Sequence, residues 1–327
     1  MRPPQWRRCC WTEPNTDSRT QKEDQSARKS QKESKTSFGF LLRPLRNLRD
    51  FCVRFPIPLP DLKDDTMPKF AANLTMLFTE LPFLQRFEAA AKAGFEAVEY
   101  LFPYPFEKKD LTAALRANGL VQVLHNLPAG DWDKGERGIA CHPDRTGEFR
   151  EGIAMAIDYA TALGCPQVNC LVGKVPAGVS RDIAHRTVVE NLRLAASELE
   201  AAGIRLLIEP INPFDIPGFF LNRTEQAIAL IDEVGSANLR VQYDIYHAQR
   251  TEGELGNTLT KHFARIGHIQ LADNPGRGEP GTGEINYPWL FQHIDALGYD
   301  GFIGCEYKPR ATTVEGLGWR EALTRAQ

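Results

Sequence analysis

No stretch of the 327-residue chain approaches the roughly 18–20 uninterrupted apolar residues of a membrane-spanning helix, so nothing in the sequence anchors it in a bilayer. The N-terminus has no apolar core of a secretory signal. The seven cysteines, Cys9, Cys10, Cys52, Cys141, Cys165, Cys170 and Cys305, are odd in number and lack paired metal-ligand spacing. Thiols scattered in this way suit small buried hydrophobes in a reducing compartment, and the cytoplasm is the expected location. Positive charge is not in excess either. The net charge of −3 argues against nucleic acid as the main partner.

What is present divides unevenly. Residues 1–66 hold 14 Lys and Arg against 9 Asp and Glu, a net of +5, and the remaining 261 hold 25 against 33, a net of −8. From Thr16 to Ser37, Gln, Lys, Ser, Arg and Glu recur without helical or strand periodicity. Such a segment buries too little apolar surface to offset its ordering entropy, so 1–66 is expected to be a disordered or non-native extension. Glu13, Asp17, Glu23, Asp24 and Glu33 speak against a transit peptide. Met67, just before the first strand-like run, is a candidate for the true start.

After Met67 the pattern becomes regular. Short apolar runs alternate with longer segments of helical period: Lys69–Leu74, Phe95–Tyr100, Leu120–Asn126, Gln167–Leu171, Arg205–Glu209, Leu239–Asp244, Ile266–Ala272 and Phe302–Glu306. Helix-like segments between them include Leu81–Ala93, Arg145–Leu163, Arg181–Ala202, Thr224–Val234 and Tyr287–Leu297. "KAGF", "ALGC", "AAGI" and "ALGY" place glycine where a helix ends and a strand begins. Eight alternating units predict a single-domain (β/α)8 TIM barrel over residues 67–327. A doubly wound open sheet is the runner-up. It would carry a glycine-rich phosphate loop after its first strand, and "NLTMLFTE" is not one.

Barrel catalysis sits at the C-terminal strand ends. Those ends read Asn73, Glu99, His125, Asn169, Glu209, Asp244, Gln270 and Glu306, nearly all polar where a doubly buried strand should close on an apolar residue. Glu209, Asp244, Gln270 and Glu306 end runs five to eight, so only a closed barrel brings them together. Three carboxylates in one mouth repel strongly at low dielectric. A divalent ion removes that conflict, and an oxygen-only donor set favours Mg2+ or Mn2+. Separate salt bridges to Lys or Arg are the alternative. Isomerisation of an α-hydroxy carbonyl needs a polarised carbonyl, one carboxylate to take the α-proton and a second group to protonate the neighbouring carbon. Glu209 and Glu306 are placed to face each other in those two roles.

The segments "FAANLTMLFTE", "LHNLPAGDWDKGERGIA", "NCLVGKVPAG", "IEPINPFDIPGFFL", "QYDIYHAQRTEGEL", "DNPGRGEPGTGEINYPWLF" and "GCEYKPR" resemble the hydroxypyruvate isomerase family of xylose-isomerase-like barrels. The resemblance runs from about Met67 to Trp319 and does not cover residues 1–66. It implies interconversion of hydroxypyruvate and 2-hydroxy-3-oxopropanoate (tartronate semialdehyde). It places the two catalytic glutamates at Glu209 and Glu306 and a metal-ligand pattern on Glu209, Asp244, Gln270 and Glu306. Related sugar epimerases carry histidine where Gln270 stands. The opening "MPKFAANLTMLFTE" is also similar to 2-oxo-tetronate isomerases, which makes a four-carbon acid, or a related sugar-acid isomerase or epimerase, the second reading.

His247 and His125 are the candidate contacts to substrate oxygens. Lys174, Arg277, Lys308 and Arg137 are candidates for the substrate carboxylate. Pro128–Pro143 and Asn274–Glu284 are long, glycine-bearing loops suited to cover a site. The expected partner is a small oxo-acid, with a homo-oligomer left open. Two rivals are a DNA-repair endonuclease, which would need a histidine-rich multi-zinc site and a basic surface, and a non-catalytic sugar-acid-binding barrel.

Overall fold

The computed structural model describes residues 68–324. The expectations for residues 1–66 and Met67 lie outside that range. Eight parallel strands close on themselves: β1 Lys69–Asn73, β2 Ala97–Glu99, β3 Val121–Asn126, β4 Gln167–Cys170, β5 Arg205–Ile208, β6 Leu239–Asp244, β7 Ile266–Leu271 and β8 Phe302–Cys305. Closure is made by β8 pairing β1, with Lys69 opposite Phe302 and Ala72 opposite Cys305. All eight expected runs became strands, and the open sheet is excluded. Among the described residues, no helix is long and apolar enough to cross a membrane.

The helices are α1 Arg86–Lys92, α2 Lys108–Ala117, α3 Thr146–Leu163, α4 Arg181–Ala201, α5 Thr224–Val234, α6 Ile245–Thr251, α7 Leu255–His262, α8 Tyr287–Ala296, α9 Thr313–Gly316 and α10 Trp319–Thr324. The glycine signals held: Gly94, Gly164, Gly203 and Gly298 all take positive φ. Helix α6 follows β6 without a loop. Asp244 both ends the strand and caps the helix, its Oδ1 accepting from Tyr246 N at 2.8 Å and His247 N at 3.4 Å.

Side chains alternate along a strand, and the two faces of this barrel differ in kind. Outward residues such as Phe70, Val98, Leu206 and Ile208 join the large apolar layer under the helices. Burying a side chain of this size contributes about 1.5–3 kcal/mol, so that layer is a large favourable contribution to folding. Inward residues form a small apolar plug that includes Ala71, Ala97 and Leu207. Two residues on, at the C-terminal ends, Asn73, Glu99 and Glu209 are polar and buried. The fold is therefore stable without an apolar barrel mouth, and the mouth is free to carry chemistry.

Candidate active site

A cavity of about 780 Å³ opens at the C-terminal end of the barrel, with Asn73, Glu209, Gln242, Gln270 and Glu306 on its wall. Loop residues Trp132, Arg137, Phe214, Arg277 and Lys308 complete it. Glu209 and Glu306 are the first residues past β5 and β8, so their strands aim them into the same mouth.

The guanidinium of Arg277 sits among the acids. Its Nη2 is 3.0 Å from Glu306 Oε1 and 3.3 Å from Asp244 Oδ2. It reaches that place from the loop after β7, which is wound around one carboxylate. Buried Asp273 accepts hydrogen bonds from the backbone N–H groups of Asn274, Gly281, Gly283 and Ile285. Three carboxylates against one guanidinium leave an excess of negative charge in a buried space. Burial, followed by Glu306 and Asp244, holds the Glu209 carboxyl well above the usual carboxylate range. Burial is also the main cause that pushes Glu306 up to about 8, against the pull of Arg277. Asp244 is likewise raised by burial, with Arg277 opposing.

His247, on α6, has its Nε2 3.8 Å from Glu209 Oε1 and 3.6 Å from Asp244 Oδ2. Its protonation pattern follows from Asn212. The Asn212 Oδ1 accepts from the N–H groups of Phe214 and Asp215, which turns its Nδ2 toward Asp215 Oδ2 and His247 Nδ1. Nδ1 is thus an acceptor and the neutral ring carries its hydrogen on Nε2, facing the acids. Burial, aided by Arg277 and Arg250, holds its pKa well below the ordinary value. Glu209, Asp244 and His247 form a group of ligand atoms within 4.8 Å of one another, and no other such His, Cys, Asp and Glu cluster forms among the described residues. The Nε2–H makes His247 a donor to a bound oxygen, so the oxygens of Glu209, Gln270 and Glu306 on the cavity wall, with those of buried Asp244, which does not line it, are the donors that could hold a hard divalent ion.

The remaining candidates fall unevenly. Lys308 and Arg137 line the cavity, Arg137 stacked 3.8 Å from the Trp132 ring centroid. Lys174 does not; its Nζ donates to Gly135 O at 3.0 Å and holds the loop 128–143 from below. That loop is seated by a backbone contact between Gly138 and Gly173, both at positive φ, where a β-carbon on either would collide with the other segment. His125 is also away from the lining. It is fully buried, with Nδ1 3.1 Å from Gln122 Nε2, while its neighbours Leu124 and Asn126 face the cavity. Strand alternation separates them.

Burial lowers the His125 pKa to about 3. The unfolded chain takes up this proton near pH 6.5 and the folded chain only near 3. The stability this group contributes is therefore intact above pH 6.5 and is lost as pH falls through that window. In urea titrations from pH 7 to pH 4, His125→Gln should flatten the pH dependence of stability by about 1.4 kcal/mol per pH unit. Parallel curves for parent and variant would count against it.

The model of the xylose isomerase-like TIM barrel family matches residues 87–323. Hydroxypyruvate isomerase of Escherichia coli K12 is 60% identical over 255 residues, covering 78% of this chain and 99% of that protein. The chain belongs to the hydroxypyruvate isomerase family. A 2-oxo-tetronate isomerase of Cupriavidus necator is 51% identical over 253 residues, covering 77% of this chain and 97% of that protein. A solved structure from Brucella melitensis, described as an AP endonuclease of family 2, is 43% identical with a TM-score of 0.77, covering 79% of this chain and all of that one. For this member of the hydroxypyruvate isomerase family the endonuclease rival lacks its site. His268 pairs with Glu99, His185 with Glu233, His262 with Glu225 and His293 with Thr260, so these histidines do not converge.

Several site residues were not picked out from the sequence. Asn212, which sets the His247 tautomer, was visible only as part of "IEPIN". Asp273, which shapes the Arg277 loop, and Trp132 and Phe214, which line the cavity, were not singled out individually.

Proposed function

We propose that this protein is an isomerase that interconverts hydroxypyruvate and tartronate semialdehyde by proton transfer between adjacent carbons. The observation that carries the reading is the identity with the Escherichia coli hydroxypyruvate isomerase over nearly its whole length. The site supports it with two cavity-wall glutamates, Glu209 and Glu306, whose carboxyls burial pushes above the usual carboxylate range, as suits groups that exchange a proton with substrate.

One of Glu209 and Glu306 removes a proton from C3 of hydroxypyruvate, leaving an enediolate. The other delivers a proton to C2, while the hydroxyl hydrogen moves from the C3 oxygen to the C2 oxygen. The sum is one C–H broken and one formed, with no net redox change. His247, neutral and donating from Nε2, steadies an oxygen on which charge builds. Arg277 and Lys308 are the cations for the substrate carboxylate, with Arg137 a third on the loop above. Glu209, Asp244, Gln270 and Glu306 would hold a Mg2+ or Mn2+ ion, which when bound supplies Lewis acidity that makes the C3 proton easier to remove. Asp244→Ala should lower the content of bound divalent ion while leaving the circular dichroism spectrum unchanged. Metal analysis showing equal content in parent and variant would remove Asp244 from the ligand set.

A four-carbon 2-oxo-tetronate is the second reading, favoured by the 51% identity with the 2-oxo-tetronate isomerase of Cupriavidus necator. The test is steady-state turnover of both acids by the purified chain, with and without chelator. The larger kcat/KM is expected for hydroxypyruvate. A larger value for 2-oxo-tetronate would reassign the substrate, and turnover of neither would overturn the isomerase reading.

A further inference from the structure

Glu99 ends β2 and has no part in the chemistry above, yet its carboxylate is wholly buried inside the barrel directly under the site. It does not line the cavity, but two of its partners do. Oε1 accepts from Asn73 Nδ2 at 2.9 Å and from Gln270 Nε2 at 2.7 Å, and Oε2 lies 2.7 Å from His268 Nε2. The far end of Gln270 is held as well, its Oε1 accepting from Gln242 Nε2 at 2.6 Å. Room for the carboxylate exists because β8 has glycine at 304, where a β-carbon would stand 2.5 Å from the Glu99 carboxyl carbon. Asn73, Gln242 and Gln270 all lie on the cavity wall.

A carboxylate only accepts, so each of its three neighbours must turn a donor toward it. Together with Thr75 N–H on Asn73 Oδ1 at 3.1 Å and Gln242 Nε2 on Gln270 Oε1, it holds the Asn73 and Gln270 carboxamides in one orientation. We infer that Glu99 is a positioning residue for the isomerase. It locks the amides of Gln270 and Asn73, and through Gln270 that of Gln242, so that oxygens and N–H groups are presented to the cavity in one arrangement. Gly304 is glycine to admit it. This role rests on the isomerase reading.

The test is the kinetics of Glu99→Met, Glu99→Gln and Gly304→Ala, measured well below each variant's melting temperature on whichever of the two acids the parent turns over. Methionine keeps the length of Glu99 but replaces its carboxylate with a thioether that accepts hydrogen bonds only weakly, and alanine at 304 displaces the carboxylate without touching it chemically. Residues that orient a site from behind typically cost 10–100-fold when removed. Glu99→Met and Gly304→Ala should each lower kcat by about that factor with KM changed less than about threefold, because Glu99 does not touch substrate. Glu99→Gln, which keeps one acceptor oxygen, should recover part of the loss. The Met and Ala changes combined should be little worse than the poorer single one, since both act through one contact. A purely structural Glu99 would instead lower the melting temperature and leave kcat of the folded protein near the parent value, which would overturn the role. If Glu99→Met does not fold, Gly304→Ala decides alone. An active parent with unaffected variants refutes the positioning role only. A parent that turns over neither acid refutes the isomerase reading and this role with it.

Discussion

Glu209→Gln and Glu306→Gln should each lower kcat for hydroxypyruvate by about 10²–10⁴-fold, the usual contribution of a general acid or base. Each change keeps an oxygen on the cavity wall and removes the group that takes or returns a proton. Substrate binding should survive, so the loss falls on kcat more than on KM. On the proposed relay the two glutamates serve one intermediate in succession. The double variant should therefore be little slower than the slower single variant, not slower by the product of the two. Steady-state kinetics of the three variants checks this, and multiplicative losses would show that the two residues act independently.

Arg277→Ala should have the next largest effect. The guanidinium lies within 3.3 Å of Asp244 and Glu306 and is raised in pKa by three carboxylates, Glu306, Asp244 and Glu209, against its own burial. Removing it takes away the guanidinium that Asp244 and Glu306 share. Truncating one partner of a buried, hydrogen-bonded charge pair costs about 2–5 kcal/mol. Expressed in kcat/KM at about 1.4 kcal/mol per tenfold, that is a loss of roughly 30- to 4,000-fold. The acids would respond by taking up protons, which removes the base form that the reaction needs. Arg277→Lys should recover little, because an ammonium does not reproduce the fork that spans two carboxylates. Kinetics of both variants checks the assignment, and a lysine variant equal to the parent would contradict it.

The sequence made the barrel legible because strands buried on both faces read as apolar runs, and eight of them stand out against helical spacers. The limits of that reading are physical. β2 is only Ala97–Glu99, shorter than its run Phe95–Tyr100, because pairing along a tilted strand stops before the apolar pattern does. Helix α6 was hidden because Asp244 serves strand and helix at once. The strand-end residues were legible as polar positions where apolar ones belong. Their directions were not. His125 was one residue out of phase with Leu124 and Asn126, and a period of two leaves no intermediate position. Contacts such as Glu99 with His268, 169 residues apart in sequence, exist only once the barrel closes. Arg277 was legible as a candidate cation, but its place among the acids depends on how Asp273 gathers the backbone of a loop, which composition does not encode.

The proton transfer itself is followed most directly by deuterium incorporation. The parent and the two single glutamate variants are incubated with hydroxypyruvate in D2O, and the products are read by NMR. The parent should form tartronate semialdehyde carrying deuterium at C2. The variant that lacks only the reprotonating glutamate should exchange the C3 protons of hydroxypyruvate without forming aldehyde, and the other variant should neither exchange nor isomerise. If both variants isomerise at the parent rate, Glu209 and Glu306 are not the acid and base, and the proton is carried by another group of the cavity.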